Sequence, residues 1–536
     1  MLQKINLTKK AVLKRVKNKG SSRSRYIIGL ICDVLSLEKV KIVGKRINRR
    51  LNSPKSRPAY NRLMLIGVEL FCREKKITNY YQIERELEDN EALKAFANFK
   101  TPKYTVISTF MKELDETWLK TIFYTHLVLV NDYDPLKFDK IFIDGTDVIA
   151  NASINYTINK KQVETTRLLH HWGLLHNGNE NQIEKTVVEL KARSDEYENN
   201  EKIYELIQIA LKRPQIYTHN TYERLERIQK ALDETGSKSV SIAFPESTVM
   251  KSKRGRFDVG FNLQMLMLSN HFILAGYLTR KSNDGDVMAF ILDTLKSDLE
   301  IFIDIMKKYC ENNDNLEELE KLLDNVTLIC DSGYFTNENI ELCVVENVEL
   351  VVMSKQVARQ ENNKKREAWN QKIRDVKNHK TDKVTKYLCI RIKNGYNCPF
   401  GRRIMLVHSY ITNSKYNKDG WEDESLYEYC FVHECEDCTG CPYLEKYGKP
   451  CDCAVIHDRV TKFKYESTNE FVEGKYKETY KDRMPISERV NAFFKGLTGM
   501  YHVKGRDFKS AKNQVTLTNL LHNMIHLENI KDVYYW

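Results

Sequence analysis

Long apolar runs are missing from this 536-residue chain. No stretch approaches the roughly eighteen uninterrupted apolar residues of a membrane-spanning helix, and no secretory signal peptide opens it. Both absences point to an intracellular, cytoplasmic protein with no membrane partner. Acids are scarce at the start. Before Pro58 there are seventeen Lys and Arg against two acids, Asp33 and Glu38, so this segment carries +15 and the rest of the chain −3. Such a concentration of one sign points to a polyanionic partner, most often nucleic acid. A solvated basic tail or a transit peptide is the bland alternative. Ile27 to Leu37 and Val40 to Val43 are apolar enough for part of the segment to fold. Elsewhere the balance is ordinary: 42% apolar and 29% charged residues describe a soluble globular protein. The length calls for two to four domains or large insertions. Most of the thirteen cysteines read as reduced core thiols, with one cluster as the exception.

What is present is organised around Val326 to Met353. An apolar run ends on Asp331, Gly333 turns the chain, Thr336 can cap a helix carrying Ile340, Leu342 and Val345, and Val348 to Met353 closes the unit. This is a βαβ crossover whose strands are apolar enough to be covered on both faces. Chemistry in open α/β sheets sits beyond the carboxyl ends of strands, where Asp331 lies. An Asx-turn is the alternative role for it. Upstream, Lys140 to Ile143 reads as a strand ending on Asp144, with Gly145 allowing a turn. Asp147 is a rival carboxylate, better read as a turn or cap acceptor. Two strands, Phe257 to Leu268 and His271 to Arg280, are joined by a tight turn at Ser269-Asn270. Asn283 and Asp284 read as turn and cap residues before a helix through Met288, Ile291, Leu295 and Ile301.

Between these elements lie segments of other character. Tyr60 to Tyr124 is helical in pattern and fits a helix-turn-helix-like module or a dimerisation domain equally. Asn159 to Gly236 lacks strand signals and reads as two or three long amphipathic helices. After Lys355, strand-like runs lead into HECEDCTGCPYLEKYGKPCDC, where Cys435, Cys438, Cys441 and Cys451 are spaced to hold one structural zinc, with Cys453, Cys430 and His433 as substitutes. An iron–sulfur cluster, disulfides or free thiols are the alternatives. Ser487 to Leu497 reads as a helix started by Pro485, with Glu488 and Lys495 seven apart on nearly the same face. Val515 to Leu527 reads as a terminal amphipathic helix.

Three antiparallel strands followed by two parallel ones, with acids on the first, the fourth and a late helix, is ribonuclease H-like topology. Carboxylates so arranged hold two hard cations for phosphoryl transfer. IDGTDVIANAS at Asp144, MKSKRGRFDVGFNLQ from Met250 to Gln264, CDSGYFTNENI at Asp331 and ISERVNAFFKGLTG at Glu488 together resemble the DDE transposases of bacterial insertion sequences. The stretch from Pro58 through TVISTF resembles that family's helical N-terminal domain, and the Cys-rich insertion resembles one branch of it. The expected fold is therefore α/β: a ribonuclease H-like mixed sheet (131–158, 240–354 and 481–530) carrying a helical insertion (159–239) and a Cys-rich insertion (355–480). An all-helical domain (58–130) and a basic DNA-contacting arm (1–57) precede it. The resemblance implies metal-dependent cleavage at the ends of a mobile element and strand transfer into target DNA by a homodimer. Asp144, Asp331 and Glu488 would ligate two Mg²⁺, and Lys495 and Arg483 would contact DNA. Some branches place three residues between the Arg and the Glu; here four separate Arg483 from Glu488. A metal-dependent nuclease on the same fold and a catalytically inactive, transposase-derived DNA-binding protein are the alternatives.

Overall fold

The computed structural model describes residues 6–49, 60–171, 183–196, 198–213, 216, 222–235, 237–251, 257–309, 326–354, 357–358, 363–378, 380–381, 383–416, 422–433, 441–449, 451–452, 454–496 and 498–534. Within them the architecture is mixed α/β.

Helices come first: α1 Lys9–Val16, α2 Ser22–Leu35, α3 Glu38–Arg49, α4 Arg62–Glu74, α5 Tyr80–Asp89, α6 Glu91–Phe96, α7 Tyr104–Glu113 and α8 Glu116–Tyr133. Their starts are written in the sequence, since Ser21, Asn61, Asn79, Asn90 and Asp115 each accept a first-turn N–H. The basic segment is folded where it is described. Val12, Val16, Ile27, Ile31, Val40 and Ile47 are fully buried or nearly so, in one core with α4 to α8.

The main sheet contains β1 Lys140–Ile149, β4 Thr248–Lys251, β5 Phe257–Leu268, β6 Ile273–Thr279, β7 Thr327–Cys330 and β8 Glu349–Val352. β5 is antiparallel to β1, while β7 and β8 run parallel to it, in the order β5–β1–β7–β8. β4 and β6 share the outer edge of β5. The turn from β5 to β6 is longer than the expected two-residue turn. His271 adopts φ 67° and its N–H returns to Leu268 O, so the loop needs four residues. The sheet is covered on both faces, as its apolar strands require. Ile141 and Ile143 face one core and Phe142 and Val148 the other.

Two insertions leave the sheet. A ribbon of β2 Thr157–Asn159 and β3 Ser239–Ser241 closes the first at its neck. Beyond it lie α9 Lys160–His171, α10 Ile183–Glu196, α11 Glu201–Lys212 and α12 Tyr222–Thr235, with a small core of their own. After α13 Met288–Tyr309 and α14 Asn337–Val345, the second begins at α15 Asn363–Lys377. It is an antiparallel sheet of β9 Ile390–Ile392, β10 Gly395–Asn397, β11 Arg403–Tyr416, β12 Glu422–His433 and β13 Val455–Val460. Short α16 Pro442–Tyr447 precedes β13; α17 Lys462–Glu473 and α18 Lys477–Lys481 lead back to α19 Arg483–Gly496 and α20 Phe508–Tyr534.

The last helix differs from the amphipathic one expected. α20 is buried nearly all round because β6 lies on one side and α4, α7 and α8 on the other. Asn523 exchanges two hydrogen bonds with the Ile273 backbone (2.9 and 2.8 Å), completing a bare strand edge. No described helix is long and apolar enough to cross a membrane.

Candidate active site

Register brings two acids together. β1 and β7 pair in parallel through Ile143 and Cys330, so the next residue on each strand is an aspartate, Asp144 and Asp331. β1 does not end at Asp144 as expected. It runs on to Ile149 because β5 pairs along its whole length, leaving Asp144 mid-strand where its other neighbour stops. Gly145 is accordingly no turn. Asp331 begins one: its Oδ1 accepts the Gly333 N–H at 2.6 Å, so it is both an Asx-turn residue and a carboxylate at a strand's carboxyl end. Thr336 caps α14 through the Asn339 N–H, as the sequence predicts.

α19 lies across Asp144 on the Phe142 face of the sheet. Asn491 Nδ2 donates to Asp144 Oδ2 at 2.6 Å, and Arg483 Nη1 stands 3.6 Å from Oδ1. Arg483 also stacks over Tyr480, 5.5 Å from the ring centre. Glu488, one turn before Asn491, is exposed. Lys495, one turn after it, is half-buried, its ammonium 5.9 Å from the Tyr501 ring. The helix starts earlier than expected, at Arg483, with Pro485 in its first turn; Leu497 lies outside the described residues. Among the described residues, Ser487 Oγ, Asn491 Oδ1 and Arg483 Nε are buried with no hydrogen-bond partner. Hard carboxylate oxygens beside a buried amide oxygen that lacks a donor, Asn491 Oδ1, fit a hydrated Mg²⁺. Among the described residues, no three His, Cys, Asp or Glu side chains gather closely enough to hold an ion by themselves.

Asp284 is the site residue that sequence reasoning passed over. Half-buried in the β6–α13 loop, it caps nothing: its Oδ1 accepts the side-chain amides of Asn262 (2.8 Å) and Gln264 (2.9 Å). Asn262 and Gln264 sit opposite Asp147 and Gly145 in the β1–β5 ladder, so Asp284 approaches from the face opposite α19. A Cβ on Gly145 would overlap Asp284 Oδ1, which explains the glycine without any turn. Burial holds the Asp284 carboxyl above the usual carboxylate range. The Asn262 and Gln264 amides pull it down, and the charges of Asp331 and Asp147 push it further up. Tyr334 donates its hydroxyl to Gln264 Oε1; burial first, then Asp284, Cys330, Asp144 and Asp331, keep that phenol protonated. Asp147 itself is exposed. Two polar residues on one face of a strand, Asn262 and Gln264, were the available sequence signal.

Of the cysteine cluster, Cys435, Cys438 and Cys453 and the His433 side chain lie outside the described residues. Cys441, at the start of α16, and Cys451 are both buried. Cys430, a substitute, is buried in β12. Cys398 joins Cys441 and Cys451 in the same small core, an association that the spacing of the cysteines does not reveal. The Arg402 N–H points at Cys398 Sγ (3.2 Å) in a turn that needs φ +81° at Gly401. Soft sulfurs in a loop-rich module fit zinc. Searched against models of known protein families and against curated proteins, the chain matches none.

Proposed function

We propose that this chain is a DNA transposase, cutting at the ends of a mobile element and joining them to target DNA, on a ribonuclease H-like core. The observation that carries the reading is the adjacency of Asp144 and Asp331 where parallel β1 and β7 diverge, with α19 laid across Asp144. The strand order β6–β5–β1–β7–β8, antiparallel to one side of β1 and parallel to the other, supports the ribonuclease H-like assignment.

Asp144, Asp331 and Glu488 would hold two Mg²⁺, which supply Lewis-acid stabilisation of charge in phosphoryl transfer. The chain's own residues do the rest. Asn491 and Arg483 fix the Asp144 carboxylate, and Arg483 and Lys495 offer cations to backbone phosphates at the mouth of the site. Two DNA ends must be handled together, so the acting species is a homodimer on DNA. Zinc at Cys435, Cys438, Cys441 and Cys451 would stabilise the second insertion without sharing ligands with Mg²⁺.

The test is direct. Purified chain with Mg²⁺ and linear DNA carrying the sequences that flank its reading frame should liberate 3′-hydroxyl ends and join them to a plasmid. Asp144→Asn, Asp331→Asn and Glu488→Gln should each abolish cleavage and leave DNA binding intact. Full cleavage by Asp331→Asn would refute the assignment. One observation favours a second reading, a DNA-binding protein without turnover: Asp144 is engaged by Arg483 and Asn491 while Glu488 faces solvent. Binding with no Mg²⁺-dependent cleavage selects that reading, and cleavage without joining selects a nuclease.

A further inference from the structure

The loop holding Asp284 is tied to the segment that follows Asp331 by two direct hydrogen bonds and one relay through β5. Gly285 O accepts the Thr336 hydroxyl at 2.6 Å, and Asp284 O accepts Asn339 Nδ2 at 3.2 Å. Asn339 Nδ2 also reaches Tyr334 O at 3.1 Å, and the Tyr334 hydroxyl ends on Gln264, whose amide holds Asp284 Oδ1. The Asp284 loop therefore packs directly on the segment that carries the Asp331 turn. The carboxylate is also aimed. Oδ1 takes both amides, while Oδ2 turns toward Gly333: a carbon placed where a Gly333 Cβ would sit lies 2.8 Å from Asp331 Oδ1 and 3.2 Å from Asp284 Oδ2.

A brace alone does not need a charge. An asparagine would accept the same two amide bonds through its own oxygen, without the desolvation penalty of a half-buried anion beside other anions. Among the described residues the hydrogen-bond donors to the Asp284 carboxylate are the two neutral amides, with no Lys or Arg. The neutral clamp fixes a negative charge next to Asp331, in the manner of outer groups that orient a metal ligand.

We propose that Asp284 is a positioning residue of the candidate active site, holding the Asp331 turn and supplying a second fixed negative charge for a divalent cation bound at Asp331. This rests on the cation-dependent reading above and adds to it a residue outside the three acids. It predicts that cation affinity depends on Asp284 even though the fold does not.

Asp284→Asn separates the two roles, because it keeps an oxygen for Asn262 and Gln264 and removes the charge. The readout is Mn²⁺ binding by titration calorimetry and the Mn²⁺-induced rise in Tm, with the full chain and no DNA. Asp284→Asn should match or exceed the wild-type Tm in EDTA and bind Mn²⁺ about tenfold more weakly or worse. A loss of that size is what one unit charge about 6 Å from a divalent ion contributes, even at water's dielectric constant. Unchanged affinity in a folded Asp284→Asn, with Asp331→Asn losing binding, overturns the proposal and leaves the cation site standing. Wild-type protein that binds no Mn²⁺ overturns both. Should Asp284→Asn fail to fold, Asn262→Ala keeps the carboxylate and removes one clamp. A drop in Mn²⁺ affinity of about tenfold supports the proposal, and no drop overturns it.

Discussion

Two buried histidines with no acidic partner among the described residues make pH a probe of single residues in this core. Burial holds His126 in α8 and His522 in α20 at about 3, well below the ordinary imidazole value of 6.5. The unfolded chain takes up protons near 6.5 while the folded chain does not. Their stabilising contribution is therefore complete above that value and is lost as pH falls from 6.5 toward 3. Between pH 7 and 5 each should remove about 2 kcal/mol of stability. Urea unfolding at the two pH values measures it, and His126→Gln with His522→Gln should flatten that part of the dependence. A pH dependence unchanged in the double variant would assign the acid sensitivity to other groups.

Elements separate charge from packing more cleanly than residues do. α1 presents Lys10 and Lys14 to solvent and its C-cap presents Lys17, while Val12 and Val16 of the helix are buried in the shared core. Deleting the basic segment would thus remove core as well as charge, and its loss of DNA binding would be ambiguous. Changing the three lysines to Gln leaves the packing alone. It should reduce the slope of log affinity against log salt by about 0.9 for each phosphate no longer neutralised, with Tm unchanged. A slope equal to wild type would confine the DNA surface to other elements. The Cys-rich insertion is tested by its metal. Elemental analysis should find about one zinc per chain, and Cys441→Ser should remove it and expose the insertion to proteolysis. Iron and sulfide in its place would replace zinc by a cluster.

At the scale of the whole molecule, the helical N-terminal part and the sheet are bolted together by a buried ionic group. Lys504 Nζ donates to Glu69 Oε2 at 2.6 Å, both side chains being almost wholly buried. Arg73, also buried, donates to Gln514 Oε1 at 3.0 Å. Gln514 Oε1 in turn accepts the Lys504 N–H at 2.9 Å. The segment before Lys504 is tied to the sheet, since Val503 N–H donates to Ile149 O at the end of β1. Removing one partner leaves the other charged and unpaired, so Glu69→Ala should cost about 3–5 kcal/mol. Glu69→Leu with Lys504→Met should recover much of it. Denaturant curves with sheet and helix probes should stay coincident in wild type, because one core spans both parts. Separate transitions would show two independent folding units.

The sequence alone determined what depends on neighbours along the chain. The βαβ unit around Asp331, the Thr336 cap, the β5–β6 pair and the helical insertion between β2 and β3 follow from apolar spacing and capping chemistry. The same local signals mark Asp144 and Asp331 as candidates. Tertiary structure decided what depends on partners far away. β1 passes through Asp144 only because β5 continues beside it, and α20 is buried all round only because two parts of the molecule close on it. Asp284 reads as a cap in the sequence, since Asp before a helix commonly is one. Its real partners, Asn262 and Gln264, lie on a strand whose register local patterns do not encode. Cys398 joins Cys441 and Cys451 for the same reason. Turns, caps and periodicity are properties of a few successive residues, whereas register and convergence are settled by which surfaces exclude water together.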